Sequence, residues 1–183
     1  MKAPGLFAVA MLLMTTVASA QPPHQGLTFR FLVDSPSRPP ASPLEWVDGR
    51  PDDVLCFDGV VQDTDNGRVV LGQATGCARI VALHLLEHGD AVLRLEVRHV
   101  IRLSRGEIVD DDVAIVVPLL DAPTVTHTNG LTATTDINNI RPELSTGFYE
   151  GREGTVGVNG NLDLRGFPGR IIFDALFTIR FRD

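Results

Sequence analysis

From Asp53 onward, apolar and polar residues alternate with a period of two almost without interruption, the spacing of strands that bury one face. Over 91–103 the odd positions read Ala91, Leu93, Leu95, Val97, His99, Ile101 and Leu103, against Arg94, Glu96, Arg98 and Arg102 on the even ones. Ile171, Phe173, Ala175, Phe177, Ile179 and Phe181 share one face of the last segment, and Val156, Val158, Leu162 and Leu164 repeat the pattern just before it. Near the start, Leu27, Phe29, Phe31 and Val33 alternate with Thr28 and Arg30. Turn dipeptides punctuate the chain at Asn66-Gly67, His88-Gly89, Arg105-Gly106, Asn129-Gly130 and Pro168-Gly169, as hairpins require. No stretch has a sustained helical period. Sheets with one wet and one dry face must stack or close on themselves. The pattern predicts a single all-β domain over 21–183, a small closed antiparallel β-barrel. Residues 21–52 supply a first strand and a proline-rich connection, and 53–183 the remainder.

Two turns set expectations for register. If Asn66-Gly67 is a two-residue hairpin turn, Leu55, Phe57, Gly59 and Val61 face Ala78, Gly76, Ala74 and Gly72, so a large residue meets a small one on an apolar face. The same register sets Cys56 opposite Cys77, on the outer face and at a closely spaced pair, where a disulfide forms without large backbone movement. A two-residue turn at His88-Gly89 would place His84 opposite Leu93 and Ala78 opposite His99, with both histidines inside. For the following strand the loop length decides: a three-residue Ser104-Arg105-Gly106 loop turns Asp111 inward, and a two-residue loop turns Asp110 and Asp112 inward instead.

Residues 1–20 have the form of a cleavable signal: Lys2, an apolar stretch from Leu6 to Val17, and Ala18-Ser19-Ala20 before the cut, which is too short to span a membrane. The expected mature chain is secreted or periplasmic, starts after Ala20, and retains both cysteines in an oxidising compartment. Lys2 is the only lysine, so Schiff-base chemistry is excluded from the mature chain. The whole sequence carries 16 Lys+Arg against 23 Asp+Glu, a net charge of −7. An acidic surface without basic runs argues against nucleic-acid partners, and no later apolar run is long enough for a membrane span.

Two segments resemble the allene oxide cyclase barrel superfamily, which includes the dirigent proteins. Gly72-Gln-Ala-Thr-Gly-Cys77 is similar to that family's strand with glycines before a cysteine. Thr146-Gly-Phe-Tyr-Glu-Gly151, ending at Gly154, is similar to its Gly-Thr-Gly-x-Tyr-x-Gly-Ala-x-Gly segment. Ser145 stands where that pattern has glycine and Arg152 where it has alanine. The resemblance implies an eight-stranded antiparallel barrel with a cavity open at one end, holding hydrophobic or phenolic molecules and steering their cyclisation or coupling. It carries over no catalytic residue.

The candidate ligand-binding residues are His84, His99, Tyr149 and Asp111. Histidines on an inward face either satisfy backbone groups in the core or act as an acid/base or orienting pair, since imidazole titrates near neutrality. Tyr149, in the glycine-rich segment where a barrel mouth is expected, either donates a hydrogen bond to a ligand or packs on the rim. A metal would need a third ligand beside the histidines, and Asp110-Asp111-Asp112 is the only nearby supplier; acidic triplets are mostly solvated, so neither a metal nor a cofactor is expected. Ser145 and Thr146 lack the Gly-x-Ser-x-Gly elbow of a hydrolase nucleophile, and His127 lies in a polar stretch. Three functions follow. The first is an exported barrel binding a small hydrophobic or phenolic molecule. The second is a cyclase or isomerase that steers a reactive substrate by cavity shape. The third is a structural or interaction protein with a filled barrel. Whether the protein is an enzyme, and its oligomeric state, are not encoded in any motif.

Overall fold

The computed structural model describes residues 26–47, 52–85, 91–118, 128–134, 139–163 and 166–182. The expected signal over 1–20, His127 and Leu164 lie outside them. Eight antiparallel strands form a closed barrel in sequence order: β1 (Gly26–Ser35), β2 (Leu55–Asp63), β3 (Val70–Leu85), β4 (Ala91–Leu103), β5 (Gly106–Pro118), β6 (Thr128–Thr134), β7 (Gly154–Asp163) and β8 (Ile171–Phe181). β8 returns to pair with β1 from Gly26↔Arg180 to Ser35↔Ile171, which closes the sheet on itself.

The alternation places the inner faces as expected. Phe29, Phe31 and Val33 of β1, Val156, Val158 and Leu162 of β7, and the six alternate residues of β8 are all buried. Five phenylalanines make the centre. Phe31 meets Phe173 and Phe177 edge-on, both at 5.7 Å, Phe29 stacks on Phe177, and Phe57 approaches Phe31 and Phe173. These rings fit because small residues face them. Opposite Phe57 stands Gly76, where an added Cβ would lie 2.5 Å from the Phe57 ring.

The β2–β3 register is the expected one over Leu55↔Ala78 to Val61↔Gly72, although the turn is not a two-residue hairpin. Asp63 Oδ1 accepts from the Asp65 and Asn66 amides, and Asp63 N–H donates to Val69 O, so the reversal begins earlier. Leu71 then bulges out of the ladder and restores the register. Cys56 and Cys77 are disulfide-bonded with Cα atoms 4.0 Å apart. They lie outside the barrel core with Val47 and Val54. The proline-rich connection is a strap over this face: Arg38 exchanges both backbone hydrogen bonds with Cys56, and its guanidinium holds Glu45 and Asp58. Asn129 and Gly130, expected to form a turn, lie within β6.

β6 covers only part of the wall. It pairs with residues 113–118 of β5 and 159–163 of β7, and no described residue of β6 pairs with the lower halves of those strands. Residues 139–149 fill that gap. Asp111 N–H donates to Asn139 O, Arg141 N–H to Val109 O, Thr146 N–H to Glu107 O, and Ile140 N–H to Gly154 O. Gly147, with φ of 63°, lets this segment turn tightly against Arg105 and Gly106. Phe148 and Tyr149 then close this end of the barrel, with Tyr149 stacked on Phe181 and Arg105 over Phe148.

Candidate functional site

β4 and β5 are joined by the two-residue turn Ser104-Arg105, since Leu103 pairs with Gly106. Of the two loop lengths, this is the one that turns Asp110 and Asp112 inward. His99 pairs with Asp110 and Val97 with Asp112, so one imidazole and two carboxyl groups meet on the inner wall. All three are buried. His99 Nδ1 lies 3.0 Å from Asp110 Oδ2 and 3.6 Å from Asp112 Oδ2. Phe177 and Phe31 meet the His99 ring edge-on and fix its plane.

Asn139, the first described residue of the wall-filling segment, completes the cluster. Its amide nitrogen donates to Asp112 Oδ1 and to Val156 O, and its amide oxygen accepts from Val156 N–H at 2.6 Å. Among the described residues, Asp110 Oδ1 and Asp112 Oδ2 are buried and accept from no N–H or hydroxyl, an arrangement uncommon for buried polar atoms; the two carboxyls are close enough to share a hydrogen bond when one is protonated.

Burial dominates the electrostatics. It pushes the His99 imidazole below its ordinary value and the Asp110 carboxyl well above the carboxylate range. The Asp112 carboxyl is pushed up to about 8 by burial and then by the charge of Asp110 beside it. All three shifts act against the charged forms, and His99 Nδ1 and Asp110 Oδ2 share a hydrogen bond at 3.0 Å. A histidine and two carboxyl groups with displaced proton affinities in an enclosed space make this cluster the candidate functional site.

The cluster opens onto a cavity walled by Phe57, Phe173, Leu95, Val97, Val158 and Leu162, with Ala78 and Ala114 providing the space. Among the described residues, His99 and Asp112 are the only polar ones on its wall. Its volume is about 40 Å³, room for about three waters and far below the ~300 Å³ of ordinary ligand pockets. The cavity sits toward the end where β3 outruns β2. Among the described residues, 79–85 of β3 have no β2 partner, and Ile80, Leu83 and Leu85 are exposed there.

The expected site residues do not assemble as a group. His99 is inside, as expected. His84 is exposed and pairs with Val92. Two departures move it. The β3–β4 register places Gly76, not Ala78, opposite His99, and a bulge between Ile80 and Ala82 reverses the faces beyond it. The His84–His99 pair is therefore corrected to His99 with Asp110 and Asp112. Asp111 points outward, held by Arg98 at 2.5 Å and by Arg141 at 3.0 Å. Tyr149 is buried at the end opposite the cavity and does not line it; burial raises its phenol above the usual value. Ser145 is buried and bonds only backbone, accepting from Val109 N–H and donating to Arg141 O.

These features define a closed antiparallel β-barrel with one buried polar cluster beside a small apolar cavity. No protein-family model matches the chain, and no curated protein matches it. Among solved structures it is similar to a nonspecific heme-binding cyclase that catalyses a cycloaddition in neoabyssomicin biosynthesis. The two are 15% identical with a TM-score of 0.41, over 90% of this chain and 68% of that one. A likeness this loose carries no argument about what the present chain does.

Proposed function

We propose that this is an exported barrel that binds a small, mostly apolar molecule in its interior, with His99 and Asp112 orienting the ligand's polar group. One observation carries the reading: among the described residues, His99 and Asp112 are the only polar side chains on the cavity wall, and Asp112 Oδ2 is buried there with no partner beyond the neighbouring Asp110 carboxyl. Apolar walls with a few convergent polar groups are the usual make-up of small-molecule sites. A phenol or similar alcohol would exchange a hydrogen bond with Asp112 Oδ2 while its ring lies against Phe57 and Phe173. Export is supported by the signal-like residues 1–20 and by the disulfide. The ligand must widen the cavity on entry, and the exposed Ile80, Leu83 and Leu85 mark the apolar side of the mouth. A steering cyclase or isomerase would use the same walls, with the cluster aligning a reactive substrate.

The small cavity favours a second reading, a structural or interaction protein with a filled barrel. Titration of an apolar fluorescent probe and a panel of simple phenols separates the two. On the ligand reading, probe and phenols compete for one site, His99→Leu changes the affinity, and Ala114→Leu abolishes binding by filling the cavity. No binding by any probe to the folded protein leaves the filled barrel as the better reading.

A further inference from the structure

Asp112 Oδ2 is buried, accepts from no N–H or hydroxyl among the described residues, and stands 3.6 Å from His99 Nδ1. Asp110 Oδ2 lies 3.0 Å from the same nitrogen. One ligand atom from each of His99, Asp110 and Asp112 falls within 4.8 Å of the others. Nitrogen and oxygen ligands bound about 2.0–2.2 Å from an ion stand roughly 3.0–3.6 Å apart at square to tetrahedral angles, and the two measured separations fit that range. Charge fits too. Two carboxylates and a neutral imidazole balance a divalent cation to zero net charge, and among the described residues no Arg side chain forms an ion pair with Asp110 or Asp112. Arg98, the nearest along the strand, is on the outer face and engaged by Asp111.

We propose that His99, Asp110 and Asp112 form a three-ligand site for a divalent first-row transition ion of the zinc type. Its fourth position would be open toward the Phe57–Phe173 cavity. The inference rests on the reading of this cavity as a site and deepens it by naming what receives the polar group of the ligand. The ligand set of one imidazole and two carboxylates is intermediate in softness, suited to zinc and manganese rather than to calcium or copper(I). Three protein ligands and one open position is the pattern of zinc sites that receive water or substrate. Asn139 has the role of an outer-shell partner, holding Asp112 Oδ1 so that Oδ2 faces the ion. The cavity is large enough for a water or another small donor on the open position.

The test uses untagged full-length mature protein, stripped with a chelator, equilibrated with zinc or with manganese alone, desalted and analysed for bound metal. The wild-type protein is expected to retain about one ion per chain and to gain thermal stability from it. Asp112→Asn and His99→Gln should weaken binding by at least ~100-fold. Asn139→Ala should weaken it by ~10–100-fold, the usual effect of losing an outer-shell partner. Circular dichroism of the metal-free variants verifies that they are folded. Folded wild-type protein that takes up neither metal overturns the proposal, and so does uptake unchanged in the two ligand variants, which would place the ion elsewhere. The apolar-probe titration, run on metal-free protein, separates the two readings. Probe binding without any metal uptake removes the ion and leaves the ligand site; metal uptake without probe binding leaves the ion and removes the apolar ligand.

Discussion

Asn139→Ala tests whether the segment over 139–149 is part of the barrel wall. The side chain makes three hydrogen bonds in a buried position, one to Asp112 and two to the backbone of Val156. It bonds both backbone groups of Val156, where no described residue of β6 pairs with β7. Truncation leaves Asp112 Oδ1, Val156 O and Val156 N–H without those partners, and each buried group so stranded costs about 1–3 kcal/mol. Water entering the vacated space offsets part of this, so the lower end applies and the sum is about 3 kcal/mol. For a domain of this size that corresponds to a fall in Tm of about 6–12 °C. The assay is thermal and urea unfolding of metal-free protein, with Asn159→Ala on the exposed face of the same strand as control, expected within ~0.5 kcal/mol of wild type. A double-mutant cycle with Asp112→Ala should show coupling of about 0.5–3 kcal/mol, because the two side chains share a bond. A loss below ~1 kcal/mol for Asn139→Ala, without coupling, would refute the reasoning.

Other consequences follow from single contacts. Gly76→Val drives side-chain atoms into the Phe57 ring, which an added Cβ already approaches to 2.5 Å. It should destabilise by about 1–3 kcal/mol in urea unfolding, with partial rescue by Phe57→Leu; full tolerance of valine would contradict the large-to-small packing. The strap should be acid-sensitive through Arg38. Its hydrogen bond holds the Asp58 carboxyl below the usual range, and at Glu45 its contacts, with the Ala41 amide, outweigh the opposing effect of burial. Lowered carboxyl pKa values give stability that is present above the unfolded-state values and lost as pH falls through the folded ones. The stability difference between wild type and Arg38→Ala should therefore be full near neutrality and shrink in acid, below about pH 4. An equal difference in unfolding free energy at both pH values would count against the ion-pair account.

The fold was readable because its signal is repeated. β4, β7 and β8 each carry a one-sided alternation long enough to fix which face is buried, and Cys56 with Cys77 fell into register even though the turn between them has another form. The site was readable only in part. His99 followed from alternation alone. His84 did not, because the bulge near Val81 follows no glycine or proline that would announce it, and a single extra residue reverses every side chain beyond. Asp110 and Asp112 depended on whether the Ser104-Arg105 loop held two residues or three, and the sequence allowed both. Asn139 carried no signal. The stretch over 139–149 has no alternation, and its place in the wall arises from long-range backbone pairing with β5 and β7.

The central claim is that the barrel interior at His99 and Asp112 receives a small molecule. Methyl-resolved NMR during titration with p-cresol tests it most directly, because the cavity wall carries methyl groups at Ala78, Leu95, Val97, Ala114, Val158 and Leu162. The account predicts saturable shifts confined to those methyls and to the His99 ring, absent in Ala114→Leu. Shifts spread over the exposed Ile80, Leu83 and Leu85 alone, with the interior methyls unmoved at saturation, would contradict it.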